Sequence, residues 1–295
     1  MPIHLMPNRR DFLRLSLAAG PAAALGRLAG ADEPGEWYAW LSDTHIAADP
    51  AARNRDNVMA DNLKAAVADI LDQPGLPRAV FIDGDLALND GQKGDYETLV
   101  GLLSPIRDAM VPIHLALGNH DDRDQFRAVL KAEPPADSSI VNKHVSIVNA
   151  LGFRILMLDS LQRPNFTPGL LGDAQRGWLT RALDAEPART TVLFVHHNPA
   201  KDEGALNDYE ALLEIIQPRR RVKAVVFGHT HRWEHEDRDG LHLLNLPAVA
   251  YPFAKDQPLG WVRVEPKTGG IGLELRCIGG DKTKDRQKKD LVWRS

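Results

Sequence analysis

The chain of 295 residues contains a single cysteine, Cys277, so it closes no internal disulfide, and a metal site in it must draw on histidine and carboxylate ligands. It also lacks an apolar run of the ~20 residues that a membrane-spanning helix needs. Neither sign of charge dominates. Lys and Arg number 36, Asp and Glu 40, for a net charge of −4. That balance argues against a protein that coats nucleic acid. A small anionic substrate would need positive charge supplied locally, and bound metal ions are one source. There is no internal repeat and no low-complexity tract. What is present is ordinary for a globular chain: 43% apolar and 26% charged residues, enough for a sizeable core. The length fits one large α/β domain or two small ones.

The amino terminus reads as an export segment over residues 1–31. Asn8-Arg9-Arg10-Asp11-Phe12-Leu13 resembles the bacterial twin-arginine signal. Leu13 to Leu28 is rich in Leu and Ala, interrupted by Arg14 and Arg27. Ala29-Gly30-Ala31 has the small-x-small form of a cleavage site. The expected location is therefore periplasmic or extracellular. Residues 36–280 read as one folded domain, and residues 281–295 as a charged, solvated tail.

Within that domain, short apolar runs alternate with helical patterns. Strands are expected at Trp37 to Leu41, Ala79 to Ile82, Val111 to Leu117, Thr191 to Val195 and Val222 to Phe227, with a strand pair at His144 to Val148 and Phe153 to Leu158. Helical spacing marks Asp56 to Leu71, Tyr96 to Leu103, a segment opening at Asp173 as N-cap, and Asn207 to Ile216. Three later strands follow, at Leu241 to Leu246, Gly260 to Val264 and Ile271 to Arg276. A polar motif stands at the carboxyl end of five of these strands. In α/β sheets ligands bind in the crevice outside those ends, so the motifs are expected to converge.

The motifs carry the donors a metal site needs. Asp43-Thr44-His45 offers a carboxylate and an imidazole on one side of an extended backbone. Gly84-Asp85 places a carboxylate after a residue that allows a tight turn. Gly118-Asn119-His120-Asp121 adds an amide oxygen and an imidazole. His196 follows a strand, and Gly228-His229-Thr230-His231 supplies two more imidazoles. Such a set suits iron, manganese or zinc. Each motif alone is an ordinary turn or cap; five in series, each after a strand, are not.

These blocks, in this order, resemble the calcineurin-like metallophosphoesterase superfamily over residues 37–250. The stretch Leu170-Leu171-Gly172-Asp173-x-Gln175-x-x-Trp178-Leu179, with His196-His197-x-Pro199 and Asn245-Leu246-Pro247-Ala248, is similar to the bacterial cyclic-nucleotide and glycerophosphodiester phosphodiesterases. The resemblance implies a layered αββα sandwich of two mixed sheets flanked by helices. It implies two transition-metal ions, the first held by Asp43, His45 and His231 and the second by Asn119, His196 and His229, with Asp85 bridging. His120, with Asn119, would bind the substrate phosphate, and His120 would donate a proton to the leaving oxygen. Asp121 would orient His120 or cap a helix. His197 is the rival to His196, and the family pattern favours the first His of the pair.

The implied activity is hydrolysis of a small phosphate ester, diester rather than monoester, by hydroxide generated at the metals. The alternative is a non-catalytic metal-binding scaffold on the same fold. Purple acid phosphatases carry a Tyr ligand three residues after the bridging Asp; Leu88 stands there, which removes that branch. Arg53 and Arg55 follow the first motif and read as a solvated loop, with contact to substrate as the alternative. No nucleic-acid partner and no stable membrane span are expected, and the sequence is silent on oligomeric state.

Overall fold

The computed structural model describes residues 36–133 and 135–295. The export segment expected over residues 1–31 lies outside the described residues. Among the described residues no helix is long and apolar enough to cross a membrane.

The first half of the chain carries β1 (Tyr38–Leu41), a two-strand ribbon of β2 (Arg53–Asn54) and β3 (Asn57–Val58), then β4 (Val80–Asp83), β5 (Ile113–Ala116), β6 (Ser146–Asn149) and β7 (Arg154–Leu158). The second half carries β8 (Thr191–Val195), β9 (Val222–Phe227), β10 (Glu234–Arg238), β11 (Leu241–Asn245), β12 (Pro258–Lys267), β13 (Gly270–Gly280) and β14 (Lys288–Val292). Among the described residues six α-helices intervene: α1 (Met59–Leu71), α2 (Lys93–Leu102), α3 (Ser104–Asp108), α4 (Arg123–Leu130), α5 (Gly172–Ala185) and α6 (Tyr209–Ile216). One six-stranded sheet runs β14-β13-β12-β1-β4-β5 and the other β10-β11-β9-β8-β7-β6. Both are mixed: β1, β4 and β5 are parallel, as are β7, β8, β9 and β11, while the outer strands turn antiparallel.

The period of two along each strand explains the layering. Tyr38 and Trp40, with Phe81 of β4 beside them, face the second sheet, where they meet Phe153, Phe194 and Val226. Ala39 and Leu41 face outward and join Leu63, Val67 and Ile70 of α1 with Tyr96 and Leu99 of α2. In β8 the assignment repeats: Val192 and Phe194 lie between the sheets, while Leu193 and Val195 pack under α5 and α6. Strands covered on both faces read as continuous apolar runs, and so they do here. The result is the expected αββα sandwich.

Three expectations change. Asp173 is not the cap of α5 but lies in its first turn; Leu171 is the cap residue. The orphan amides of Leu171 and Gly172 are instead met by the Asp208 carboxylate at 3.0 and 2.9 Å. Residues 282–290 are exposed, but the charged tail does not stay free: it enters β14, pairs with β13 and buries Leu291 and Arg294. Strand β10, sequence Glu-His-Glu-Asp-Arg, was hidden by its polarity. Both it and β14 are edge strands, where charge discourages pairing with other chains.

One buried ion pair ties the layers beside the centre. Asp159, just past β7, is fully buried and accepts from Arg123 Nε and Nη2 at 2.7 Å each, and from the amides of His144 and Leu161. Burial works against its charge, but Arg123, Lys143 and these amides outweigh burial and hold the carboxyl below its ordinary range. Arg123→Ala leaves a buried carboxylate uncompensated, so a loss of roughly 3 kcal/mol is expected from the urea midpoint. A loss under about 1 kcal/mol would show the amides suffice.

Candidate metal centre

The loops after β1, β4, β5, β8 and β9 meet at one edge of the sandwich. Backbone geometry there is unusual. Asp43, His45, Asp85, His229 and His231 all adopt the left-handed region, with φ of 54°, 44°, 45°, 65° and 52°. The extended backbone expected for Asp43-x-His45 is thus not what presents this pair. Each such residue costs on the order of 1–3 kcal/mol, and strain of this kind gathers at functional sites. Gly84, with φ 78°, lets the β4 loop approach its neighbours; a Cβ there would lie 2.7 Å from the Gly118 amide nitrogen and 2.8 Å from His196 Nδ1.

The donors fall into overlapping groups. Asp43, His45 and His231 bring ligand atoms within reach of one ion, as do Asp85, His196 and His229. A third combination is His45, Asp85 and His120, so Asp85 stands between the groups. His231 Nε2 is 3.3 Å from Asp43 Oδ1, and His196 Nε2 is 3.2 Å from Asp85 Oδ2, which is also 3.6 Å from His45 Nε2. Asn119 lies among them, buried, its Oδ1 without a donor. His197 is in none of these groups. Its Nδ1 pairs with Ser160 Oγ at 2.7 Å and its ring lies 4.7 Å from that of His229.

Hydrogen bonds fix which ring nitrogens are free. Nδ1 of His45, His196 and His231 faces the carbonyl of Leu88, Asp83 and Tyr251, at 3.4, 2.7 and 2.5 Å. The proton therefore sits on Nδ1 and the lone pair on Nε2, the arrangement of histidines that ligate through Nε2. His45 Nε2 and His231 Nε2 lie only 3.1 Å apart. Two lone pairs facing each other repel, and a shared cation relieves them. With the orphaned Asn119 oxygen, this shows that the residues fit metal ions. Electrostatics agrees: burial pushes His45 down to about 3 against the pull of Asp85. His196 differs: Asp85 and Asp43 outweigh burial and push the ring up to about 10, so its Nε2 holds a proton toward Asp85 that an arriving ion must displace.

His120 stands at the rim, its amide donating to Asp85 Oδ1 at 2.9 Å and its Nδ1 paired with the Asn89 carbonyl at 2.6 Å. Asp121 does not orient it. The fully buried Asp121 carboxylate accepts from the amides of Leu86, Ala87 and Gly118 and from Tyr96 Oη. It clasps the Asp85 loop to the Asn119 loop. Nor does it cap α4, whose N-cap is Asp122.

Three residues went unread in the sequence. Tyr251 stacks on His45 at 5.0 Å, and its carbonyl holds His231. Phe253, half exposed, lies flat on His231 at 3.9 Å, with the Arg55 guanidinium 5.0 Å from its ring. Asp83 lends its carbonyl to His196 and Ser42. Nothing in a Tyr-Pro-Phe run announces a role; only its position after the Ser42–Ala248 bridge does. The cavity in front of the donors measures about 590 Å³ and includes His45, Asp85, His120, His229, His231 and Phe253 in its walls.

Comparison with known proteins places this geometry. The chain is 27% identical over 220 residues to the 3',5'-cyclic adenosine monophosphate phosphodiesterase CpdA of Pseudomonas aeruginosa, covering 72% of this chain and 76% of that one. It is 31% identical over 215 residues to a cAMP/cGMP dual specificity phosphodiesterase of Mycobacterium tuberculosis, covering 70% and 65%. Against the glycerophosphodiester phosphodiesterase GpdQ of Enterobacter lignolyticus the figures are 26% over 223 residues, 72% and 77%. A dimetal phosphatase from Danio rerio has the same fold, with a TM-score of 0.67 over 89% of this chain and all of that one at 15% identity. Residues 37–233, well over half of the sequence, match the calcineurin-like phosphoesterase profile, and the chain belongs to that family.

Proposed function

We propose that the protein is a phosphodiesterase that works with two metal ions, one in each ligand group, bridged by Asp85. The observation that carries this reading is the reach of Asp85, which shares one group with His196 and His229 and whose Oδ2 stands 3.6 Å from His45 Nε2 of the Asp43–His45–His231 group. Bound there, two such ions supply charge neutralisation for the phosphoryl oxygens and an activated water as nucleophile. The histidine and carboxylate set accepts iron, manganese or zinc.

The chain's own residues do the rest. Asn119 and His120 bind the phosphate at the rim. The Asn89 carbonyl accepts from His120 Nδ1–H and fixes the ring, so Nε2 hands a proton to the leaving oxygen from the doubly protonated imidazolium and is left as the neutral ring. The cavity walls favour a diester. Asp202, Glu203, Glu234 and Glu236 line them, while Arg232 and Arg238 are spent on Glu234 and Glu236. A monoanionic diester meets less repulsion there than a dianionic monoester. The relatives named as phosphodiesterases support the same choice.

The test is a substrate panel with protein loaded separately with manganese, zinc and iron. A bis-aryl phosphodiester is expected to turn over at least ~10-fold faster than the matching aryl monoester, a difference of about 1.4 kcal/mol in barrier. A preference for the monoester would overturn the diester reading, and no turnover with full metal content would favour the scaffold alternative. The Arg9-Arg10 signal supports placing this activity outside the cytoplasm.

A further inference from the structure

The opposite end of the second sheet carries a cavity of about 300 Å³, near the lower size of small-molecule pockets. It opens at the amino ends of β7, β8 and β9, where Arg154, Thr191 and Val222 begin those strands. The metal donors follow the carboxyl ends of β8 and β9. At ~3.3 Å per residue the two sites stand on the order of 15–20 Å apart.

Five arginines line this cavity, Arg154, Arg189, Arg219, Arg220 and Arg221, against two carboxylates, Asp184 and Glu186. Both carboxylates are already engaged. Asp184 takes both arms of Arg219, at 2.9 and 3.1 Å, and Glu186 takes Arg154 Nη1 at 2.9 Å. Arg189 meets only the Asn149 side-chain oxygen at 3.4 Å, while Arg220 is held by the Ser295 oxygen at 3.0 Å and the Asp239 carbonyl at 3.4 Å. The Arg221 carbonyl accepts from the Thr191 amide at 2.8 Å, but its guanidinium has no hydrogen-bond partner among the described residues. The charges of Arg189 and Arg221 are thus left over. Their field is felt nearby: burial first, then Arg221, Arg294 and Arg220, hold the Lys223 ammonium below its ordinary range.

Arg154 is the built part of this site. It is 1% exposed, its Nε is fixed on Thr191 Oγ1 at 2.9 Å, and its Nη2 is buried with no acceptor. A guanidinium held this way is pre-organised for a planar, two-point contact with an oxyanion. Glu186, its only carboxylate partner, is 58% exposed and free to give way to an entering anion. Leu183, Pro187, Pro218 and Val222 add an apolar wall.

We propose that this cavity is a second anion site, distinct from the metal centre, that binds the phosphate group of a small molecule on Arg154, Arg189 and Arg221. The apolar wall leaves room for an organic remainder, so a phosphomonoester binds more tightly than inorganic phosphate.

Calorimetric titration of the metal-loaded protein tests this, with inorganic phosphate and glycerol phosphate as probes. Wild type is expected to take up two phosphate groups per chain, one at the metals and one here. The double variant Arg189→Glu/Arg221→Glu should take up one, with kcat and KM for a diester unchanged. The milder Arg189→Gln/Arg221→Gln pair, which removes charge without adding acid, should weaken the second binding at least ~10-fold. One phosphate per chain in wild type, or two of undiminished affinity in both variants, overturns the proposal. Equal affinity for the two probes overturns the role of the apolar wall.

Discussion

Replacing Asp85 with alanine is expected to lower kcat/KM by at least ~10⁴-fold, or more than 5 kcal/mol of transition-state stabilisation, and to bring bound metal to background. The size follows from geometry. Asp85 Oδ2 is the oxygen nearest both His196 Nε2 and His45 Nε2, at 3.2 and 3.6 Å, and Oδ1 holds the His120 amide at 2.9 Å. One substitution therefore strips a donor from both groups and loosens the loop that presents Asn119 and His120. Metal content by mass spectrometry of the purified variant, beside its kinetics, checks the expectation. Asp85→Asn preserves shape and separates loss of charge from loss of fold. Full activity with an intact metal complement would sink the two-ion reading.

The second large effect divides metal binding from proton transfer. His120→Ala should keep metal at the wild-type level and lose ~10²–10⁴-fold in kcat, the usual worth of a general acid. The loss should depend on the leaving group. An aryl diester that departs as a stable phenolate needs no proton and should be affected least, an alkyl diester most. His120 also completes a possible ligand group with His45 and Asp85, so the opposite assignment has a clear signature: metal lost along with turnover. A uniform drop across leaving groups at full metal content would leave His120 as a phosphate binder without an acid's role.

Much of this was readable in the chain, because burial on two faces writes itself as apolar runs. Thr191–Val195 and Val222–Phe227 form strands with the boundaries the runs suggest, and the motif residues stand just beyond strand ends. What escaped is what depends on partners distant in sequence. Asp121 looked like a companion to its neighbour His120; its actual partners, Leu86, Ala87 and Tyr96, lie up to 35 positions away. Asp208 caps α5 from 36 or 37 positions downstream, so the nearer Asp173 drew the assignment. Polar edge strands escaped for another reason: β10 and β14 bury little, so they carry no alternating signal. Tyr251 and Phe253 escaped because stacking on an imidazole leaves no mark in spacing.

The left-handed residues of the candidate centre bear on when the protein becomes competent. His45 and His231 face each other at 3.1 Å although 186 positions separate them, one following β1 of the first sheet and the other β9 of the second. In an unfolded chain, closing a loop that long costs several kcal/mol, on the order of 4–5 by the polymer estimate, before any contact repays it. Holding several side chains in a disfavoured backbone region adds to that cost. No short stretch of the nascent chain thus has the first ligand group in hand. Both sheets must be paired and docked before His231 joins Asp43 and His45, so the complete set of donors exists only once the sandwich has closed.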